Sequence, residues 1–547
     1  MGHSQISRRR FISTAATATA AAFLPGRLPA LTAHRPNILW LTLEDICPDL
    51  GCYGDPVADT PNIDRFAATA IRYTHCFSVS GVCAPSRACL ATGMYSNSIG
   101  THHMRTKAKN FPWLPKPYEA VPPVQVKHFA EYLRRAGYYC CNDVKNDYQF
   151  GEPVSIWDDN RAGAHWRNRD TGQPFFAIIN HTITHESQIR MPLDKKAVTD
   201  PAKIVLPPYY PDTPVVRNDL ARYYDNIAEA DRQIGRRLTE LEQDGLAENT
   251  IVFIFGDNGR GLPRGKRWLY DSGLQVPLLI HWPGRLTSGN VTDRMVSFVD
   301  FAPTVLSLAG VDIPRHMQGK AFLGEQESGP RRYVHAARDR MDETYDYIRA
   351  VRDHRFKYIH NLQPEKPYAQ HIEYMDEMPT MKEWRRLHAE GQLSGAQKLF
   401  FSAGKPVEEL YDTQQDPHEI NNLAANPLFQ AELQRLRDEC RRWRKRIHDM
   451  GDIPEQEMVN SMWPAGVQPL TQTPLLKPAG GEWKKGKKIK LSCTTKGASI
   501  VYTTETGPKP HWRLYHKPLT LPRPATLRAK AIRYGFKESA EVTAVFK

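Results

Sequence analysis

Three short runs of the chain are apolar almost throughout: Ile38–Leu43, broken only by Thr42, Phe175–Ile179 and Ile251–Phe255. A strand covered on both faces has no need of polar alternation, so runs of this kind predict strands buried in a parallel sheet. Between them, Val126–Ala136 and Leu220–Asp244 carry apolar residues at helical spacing. Strands alternating with helices predict an α/β sandwich. Further on, Tyr347–His360 alternates like a strand pair and Ala431–Asp449 reads as a charged helix. Pro454–Pro478 shows little periodicity and reads as a linker. Beyond it, Ile489–Cys493, Ser499–Thr503, Thr526–Ile532 and Glu541–Phe546 alternate or are β-branched, which predicts an all-β terminal module.

The residues that follow the three apolar runs are polar. The first leads into Glu44-Asp45, the second into Asn180-His181 and then His185, the third into Asp257-Asn258. Open α/β sheets bind ligands at the carboxyl ends of their strands. Glu44, Asp45, Asp257 and Asn258 are hard oxygen donors, suited to calcium or magnesium and not to a thiolate-seeking metal.

Charge changes the picture at both ends of the chain. The total of +13 over 547 residues is unevenly placed. Residues 477–547 hold 16 Lys and Arg against four Glu, a net of +12, whereas 34–476 stand at −3. The first 33 residues carry four Arg and no acid, with Ser7-Arg8-Arg9-Arg10-Phe11-Ile12 opening a mildly apolar stretch that Pro25, Gly26 and Pro29 break. That is a twin-arginine export pattern, predicting a periplasmic or secreted protein. Nothing after it is apolar enough for a membrane span. For an exported chain the basic tail implies an anionic polysaccharide partner and no nucleic acid. The nine cysteines have no zinc-finger spacing, and their odd number leaves at least one unpaired.

One stretch carries chemistry of its own: Cys83-Ala84-Pro85-Ser86-Arg87-Ala88-Cys89-Leu90-Ala91-Thr92-Gly93. Pro85 sits where a helix begins, which puts Cys83 just before a helix N-terminus, where free N–H groups favour negative charge. Cys83 is therefore a candidate nucleophile and Arg87 a candidate anion-pairing side chain.

C-x-P-S-R followed by T-G resembles the signature of the formylglycine sulfatases, of the alkaline-phosphatase-like superfamily. The resemblance spans about residues 35–450. It implies a sandwich with a large mixed, mostly parallel sheet, a smaller C-terminal α+β subdomain and, here, an appended all-β module. It also implies that Cys83 is oxidised to an aldehyde by a maturation enzyme and hydrated to a diol. One diol oxygen attacks sulfur and the other then expels sulfate. Glu44-Asp45 stands where the family has two aspartates, and Asp257-Asn258-Gly259 matches its second metal pair. With the modified Cys83 these imply a calcium site, magnesium being the lesser choice. Lys266, followed by Tyr270-Asp271-Ser272-Gly273, resembles one sulfate-holding lysine. Lys145, eight residues after Gly137, resembles the other. His185 matches the histidine that protonates the leaving group. Two residues after Lys145 the family has a histidine and this chain has Asp147, so the proton acceptor for sulfate release is Asp147, His102 or His103.

Within the family the chain is most similar to the sulfamidase branch, through Ser78-Val79-Ser80, Arg349-Ala350-Val351-Arg352 and His360-Asn361-Leu362. That implies a sulfated polysaccharide or oligosaccharide substrate with a glucosamine N- or O-sulfate; His102, His103, Arg338 and Asp339, which lie in polar segments, are the candidate sugar contacts. The tail resembles the C-terminal module of chitobiases through Ser499–Thr503, Tyr515, Pro518, Ala529–Ala531 and Gly535. The expected organisation is a signal segment 1–33, a catalytic domain 34–313, a subdomain 314–455, a linker 456–478 and a module 479–547. Two alternatives stay open: a phosphate or phosphonate ester hydrolase of the same superfamily, and a non-catalytic protein that binds sulfated glycans.

Overall fold

The strand β1 (Asn37–Leu43) lies at the centre of the chain's largest sheet, in a computed structural model that describes residues 35–107, 111–190 and 197–547. The export segment 1–33 lies outside the described residues. The sheet's other strands are β2 (Ile71–Tyr73), β3 (Tyr139–Asp143), β4 (Phe175–His181), β5 (Thr250–Gly256), β6 (Leu278–His281) and β7 (Val291–Thr292). Their order is β3-β4-β1-β5-β6-β2-β7. The first four run parallel, and β6 pairs antiparallel with both β5 and β2. The expected mixed, mostly parallel sheet is what forms.

The apolar runs are explained by the two layers. Leu39, Leu41 and Leu43 pack against Tyr223, Ile227 and Ile234 of the helix Pro214–Gln243. Ile38 and Trp40 point the other way, into Phe129 and Leu133 of the helix Phe129–Arg135 and into Phe301 and Val305. The Trp40 indole meets Phe176, Phe255 and Phe301 edge-on at 5.2, 5.2 and 5.7 Å. The register aligns Leu43 with both His181 and Gly256, so Glu44, Thr182 and Asp257 leave the sheet side by side.

A second, antiparallel sheet runs in the order β8 (Val334–Arg338), β9 (Ile348–Arg352), β10 (Phe356–Asn361), β11 (Glu408–Asp412), covered by the helix Gln430–Ile447 through Leu433, Leu436 and Cys440. The proline-bearing stretch 456–478 is more ordered than a spacer. It starts within the helix Glu455–Met462, whose Met458, Val459 and Met462 pack on Tyr118 and Ala120. Glu455 binds Arg340 at 2.7 and 2.8 Å. Apolar residues only three to four apart over eight positions gave too short a period to stand out among the prolines.

The terminal module holds the pair β12 (Leu475–Lys477) and β13 (Lys490–Ser492), and a sheet β15-β14-β16-β17 built from β14 (Ser499–Thr503), β15 (Arg513–Leu514), β16 (Ala525–Ile532) and β17 (Val542–Phe546). It has its own core around Leu491, Leu527, Ala529 and Phe546. It also docks on the main domain, and residues Pro36–Lys547 form one unit. All nine cysteines are free thiols, so no disulfide takes part in this packing. Among the described residues no helix is long and apolar enough to cross a membrane.

The seam between module and body contains a buried histidine with a measurable consequence. His128 caps the helix Phe129–Arg135 by accepting from Ala130 N–H at 3.0 Å, and its ring meets Tyr148 and Trp157. Burial pushes its pKa down to about 3, against the opposing pull of Glu131. The unfolded imidazole takes up a proton below about pH 6.5, and the folded one does not until near its depressed pKa. Stability from this group is therefore complete above pH 6.5 and is lost progressively as pH falls towards 3. Unfolding midpoints at pH 7 and pH 5 should differ less in His128→Gln than in wild type; equal acid sensitivity would exclude His128 as a source.

Candidate active site

The carboxyl ends of β1, β4 and β5 and the first turn of the helix Cys83–Thr92 converge on one buried cluster of charges. Cys83 is the first residue of that helix and not the residue before it, because Val82 takes the extended N-cap conformation. The helix is buried over its whole length, so its N-terminal N–H groups face protein and not bulk water. Gly81, two residues earlier, lets the chain press on the next loop: a Cβ there would lie 2.4 Å from the Trp268 carbonyl oxygen. This close approach, with Arg267 N–H donating to Gly81 O at 2.6 Å, sets Lys266 beside Cys83.

Arg87 is the hub. Its Nε donates to Asp257 Oδ2 at 3.0 Å, Nη1 to Asn180 Oδ1 at 2.8 Å, and Nη2 to Glu44 Oε1 at 3.4 Å. Lys145 Nζ reaches Glu44 at 2.9 Å. Lys266 Nζ lies 2.5 Å from Asp45 Oδ2 and 3.1 Å from Glu186 Oε1. Asn258 Nδ2 donates to Asp45 Oδ1 at 2.9 Å, and Asp45 N–H to Asp257 Oδ1 at 3.1 Å. Asp45 holds φ at 51°, a left-handed conformation that a non-glycine residue keeps only when its surroundings enforce it. Eight residues expected at the site, Glu44, Asp45, Cys83, Arg87, Lys145, Asp257, Asn258 and Lys266, are thus brought together.

Burial works against every charge here, and the partners decide the outcome. Arg87 beside Asp257 and Glu44, and Lys266 beside Asp45 and Glu186, are held above their ordinary pKa values despite burial. Glu44 behaves differently: burial raises its pKa, and Asp257 and Asp45 push the same way against Lys145 and Arg87. It is a carboxylate short of positive charge. Beside it, the Asn258 Oδ1 oxygen is buried without a hydrogen-bond partner. A raised carboxylate and an orphaned carbonyl oxygen in one oxygen-rich pocket fit a hard cation. Asp45, His185 and Glu186 also offer ligand atoms within 4.8 Å of one another. The Lys266 ammonium already bridges Asp45 and Glu186, so that second grouping is filled by a lysine.

His185 sits at the edge, 4.0 Å from Asp45 Oδ2 through Nε2. Its Nδ1 accepts from Ser187 N–H at 3.2 Å, which places the proton of the neutral ring on Nε2. Burial first, then Lys266, push its pKa down to about 3. Asp147 stands at the rim with its side chain 41% exposed, 3.6 Å from Lys145. Partial desolvation would raise its pKa, but Lys145, Arg87 and Arg105 together hold it below the usual carboxylate value, and it also accepts a hydrogen bond from Cys83.

The expected sugar contacts divide. His102 and His103 lie side by side with ring centroids 4.2 Å apart and planes tilted by 45°, and His102 Nδ1 and Nε2, His103 Nε2 and Asp339 Oδ2 are buried without partners. Asp339 Oδ1 accepts from Arg349 at 3.0 Å. Arg338 does not belong with them. It is fully buried, donates to the Arg267 carbonyl at 2.7 Å and to Gln370 at 3.0 Å, and lies 3.7 Å over Trp268. With its guanidinium enclosed by protein groups, it props the backbone beside Lys266 and does not reach a sugar. Sequence reading missed Glu186, Arg267 and Arg105. Glu186 and Arg267 form a bidentate pair at 2.7 and 2.9 Å, for which adjacency to His185 and Lys266 was the available signal. Arg105, at the mouth, bonds Asp342 at 2.9 Å and lies 4.0 Å over Tyr374, opposite Arg190 at 4.1 Å. Nothing local in the sequence marked it.

A buried cluster of ion-paired lysines and arginines around a helix-terminal cysteine, at the carboxyl edge of an α/β sheet, defines a hydrolase of anionic esters. The sulfatase family model matches residues 36–151 and 161–311, the model of the N-sulphoglucosamine sulphohydrolase C-terminal region matches 264–398, and that of the chitobiase/beta-hexosaminidase C-terminal domain matches 478–544. An ulvan-active sulfatase of Formosa agariphila is 43% identical, covering 93% of this chain and 91% of the relative. Human N-sulphoglucosamine sulphohydrolase is 27% identical over 77% of this chain and 92% of its own. A solved structure in complex with its substrate D-glucosamine-2-N,6-O-disulfate superposes with a TM-score of 0.55 at 19% identity, covering 77% of this chain and 100% of that one. The chain belongs to the sulfatase family, with the alkaline-phosphatase-like fold, and is a sulfuric ester hydrolase.

As an unmodified thiol, Cys83 is inert. Burial pushes its pKa up to about 12, and the nearby Lys145 and Lys266 only partly offset this. At pH 7.5 that leaves about one thiolate in 10⁴–10⁵. In protein made without maturation, Cys83 should alkylate with iodoacetamide at least about 100-fold more slowly than the part-exposed Cys493. Peptide mapping over a time course measures both rates, and matching rates would contradict the buried placement.

Proposed function

We propose that the chain, exported through its first 33 residues, removes sulfate from a sulfated carbohydrate with Cys83 matured to formylglycine and calcium bound by Glu44, Asp45, Asp257, Asn258 and the modified Cys83. The observation that carries this is the charge balance of the pocket. Glu44, Asp45, Asp257 and Glu186 face Arg87, Lys145, Lys266 and Arg267, all within one largely buried cluster. A divalent cation alone would leave such a pocket positive and an anion alone would leave it negative; a sulfate monoester, which carries one negative charge, together with the ionised Asp147 at the rim offsets the cation. Bound there, the cation would polarise the sulfate oxygens and the hydrated aldehyde would supply the nucleophilic oxygen.

The chain's own groups then take defined roles. Arg87, Lys145 and Lys266 stay protonated and act as donors that hold the sulfate. His185 presents Nε2–H, and an anion bound beside it would raise its depressed pKa towards that of a general acid for the leaving oxygen. Asp147, kept ionised, accepts a proton at the Cys83 side chain. His102, His103 and Asp339 offer unpartnered atoms to sugar hydroxyls, and Arg105 offers a cation at the mouth. The exposed lysines 484, 485, 487, 488 and 490 suit a polyanionic polymer.

Two substrates are in contention. The 43% identity to an ulvan-active sulfatase favours ulvan. The match of residues 264–398 to the N-sulphoglucosamine sulphohydrolase model supports the glucosamine sulfate expected from sequence. Desulfation assays on ulvan oligosaccharides, N-sulphoglucosamine and an aryl phosphate separate these readings from each other and from a phosphoester hydrolase. Turnover of ulvan oligosaccharides should exceed that of the phosphate by at least about 10³-fold; equal or faster phosphate turnover overturns the sulfatase reading of this site.

The metal assignment is tested without turnover. Calcium at 100 times its Kd stabilises a protein that binds it only when folded by about 2.7 kcal/mol. Titrated calcium should raise the unfolding midpoint of wild type and not that of Asp257→Ala. An identical rise in both would remove Asp257 from the ligand set.

A further inference from the structure

The terminal module closes the back of the loop that carries Lys145 and Asp147. That loop follows β3 and keeps two side-chain-bearing residues in the left-handed region, Asp147 at φ 56° and Gln149 at φ 64°. Such a conformation persists only where surrounding structure over-determines it. Lys145 and Asp147 leave the loop towards Cys83, while Tyr148 and Phe150 are buried in the body.

The surrounding structure on that buried side is the module. Phe150 lies flat on Tyr534, with centroids 4.8 Å apart and planes 7° apart, and Tyr148 stacks on Phe150 at 5.6 Å. Tyr534 is held in turn. Its hydroxyl donates to Glu131 Oε1 at 2.7 Å and accepts from His128 N–H at 3.2 Å. Glu131 also accepts from Ser155 at 2.5 Å and from the module's Ser499 at 2.6 Å. Lys127 Nζ lies 4.9 Å over the Tyr534 ring and donates to Gly497 O at 2.6 Å. The next residue touches the loop backbone directly: Gly535 N–H donates to Phe150 O at 3.4 Å. Gly535 has φ at 75°, and a Cβ on it would lie 2.2 Å from the Ala120 carbonyl oxygen. Ala120 N–H itself donates to Gln149 O at 2.8 Å. Only glycine lets the module's turn come this close.

We propose that Tyr534 and Gly535 are positioning residues for the sulfatase reaction, which act through Phe150 to hold Lys145 and Asp147 against Cys83. This rests on the roles assigned above to Lys145 and Asp147. The module is then a working part of the active site, and its contribution extends to substrates too small to touch its surface.

The test uses full-length matured enzyme and a small aryl sulfate, with turnover expressed per formylglycine. Tyr534→Leu, which removes the ring stack, and Gly535→Ala, which pushes the turn off the loop, should each lower kcat at least about tenfold with a smaller change in KM. Tyr534→Phe keeps the stack and should stay within about threefold of wild type. Leu527→Ala, deep in the module's own core, should lower the unfolding midpoint and leave kcat within about twofold. Should Tyr534→Leu fail to fold, Phe150→Leu removes the same stack from the loop side and should show the same fall in kcat. Wild-type kcat in folded Tyr534→Leu or Phe150→Leu, or an equal loss in Leu527→Ala, overturns the proposal. Lys145→Ala and Asp147→Ala separate the two levels. If they lose turnover while Tyr534→Leu keeps it, the positioning claim alone falls. If they keep full turnover, the reading of the loop falls and takes this proposal with it.

Discussion

Everything in this molecule is arranged around keeping four carboxylates and four cations together in a nearly water-free space. Glu44, Asp45, Asp257 and Glu186 could not be buried singly, since an unpaired buried charge costs several kcal/mol. Paired with Arg87, Lys145, Lys266 and Arg267 they can be. The requirement dictates geometry at a distance. The strands β1 and β5 must end in register, as the pairing of Leu43 with Gly256 makes them do, or Asp257 would not meet Arg87. The helix Cys83–Thr92 must enter with Arg87 one turn behind Cys83, so that one side chain spans Asp257, Glu44 and Asn180.

The same logic continues outward. Arg267 joins Glu186 on one side, and its carbonyl accepts from Arg338 on the other. Arg349 ties Asp339 to Asp449, and Arg340 ties the second sheet to Glu455. The second sheet is thus fastened to the catalytic edge by charged hydrogen bonds as well as by apolar packing. Of the groups outside that framework, Arg105 lies on a turn and Tyr374 in the short helix Glu373–Asp376.

What could be read from the sequence follows from how local each signal is. The strands Asn37–Leu43 and Thr250–Gly256 showed as largely apolar runs because both their faces are covered, and their polar successors marked the site. Cys83 and Arg87 were visible because one helical turn fixes their spacing. Arg338 was misread because nothing in its neighbours distinguishes a guanidinium enclosed over Trp268 from one that faces a ligand. Arg105 escaped notice because its partners, Asp342 and Tyr374, are more than two hundred residues away in the chain. The terminal strands were evident from their alternation, but not their docking, since the residues that fasten them are single polar groups such as Ser499 and Tyr534.

Glu131 has a consequence for the making of the protein. Its carboxylate is fully buried, and burial alone would drive its pKa up; Lys127 and the hydroxyls of Ser155, Ser499 and Tyr534 hold it down instead. Two of those hydroxyls are synthesised 368 and 403 residues after it. A ribosome thus supplies two of the four partners of this carboxylate long after the helix that carries it. A chain truncated before Ser499 would leave Glu131 with only Lys127 and Ser155 of those four, a carboxylate short of two of the hydroxyls that hold it ionised.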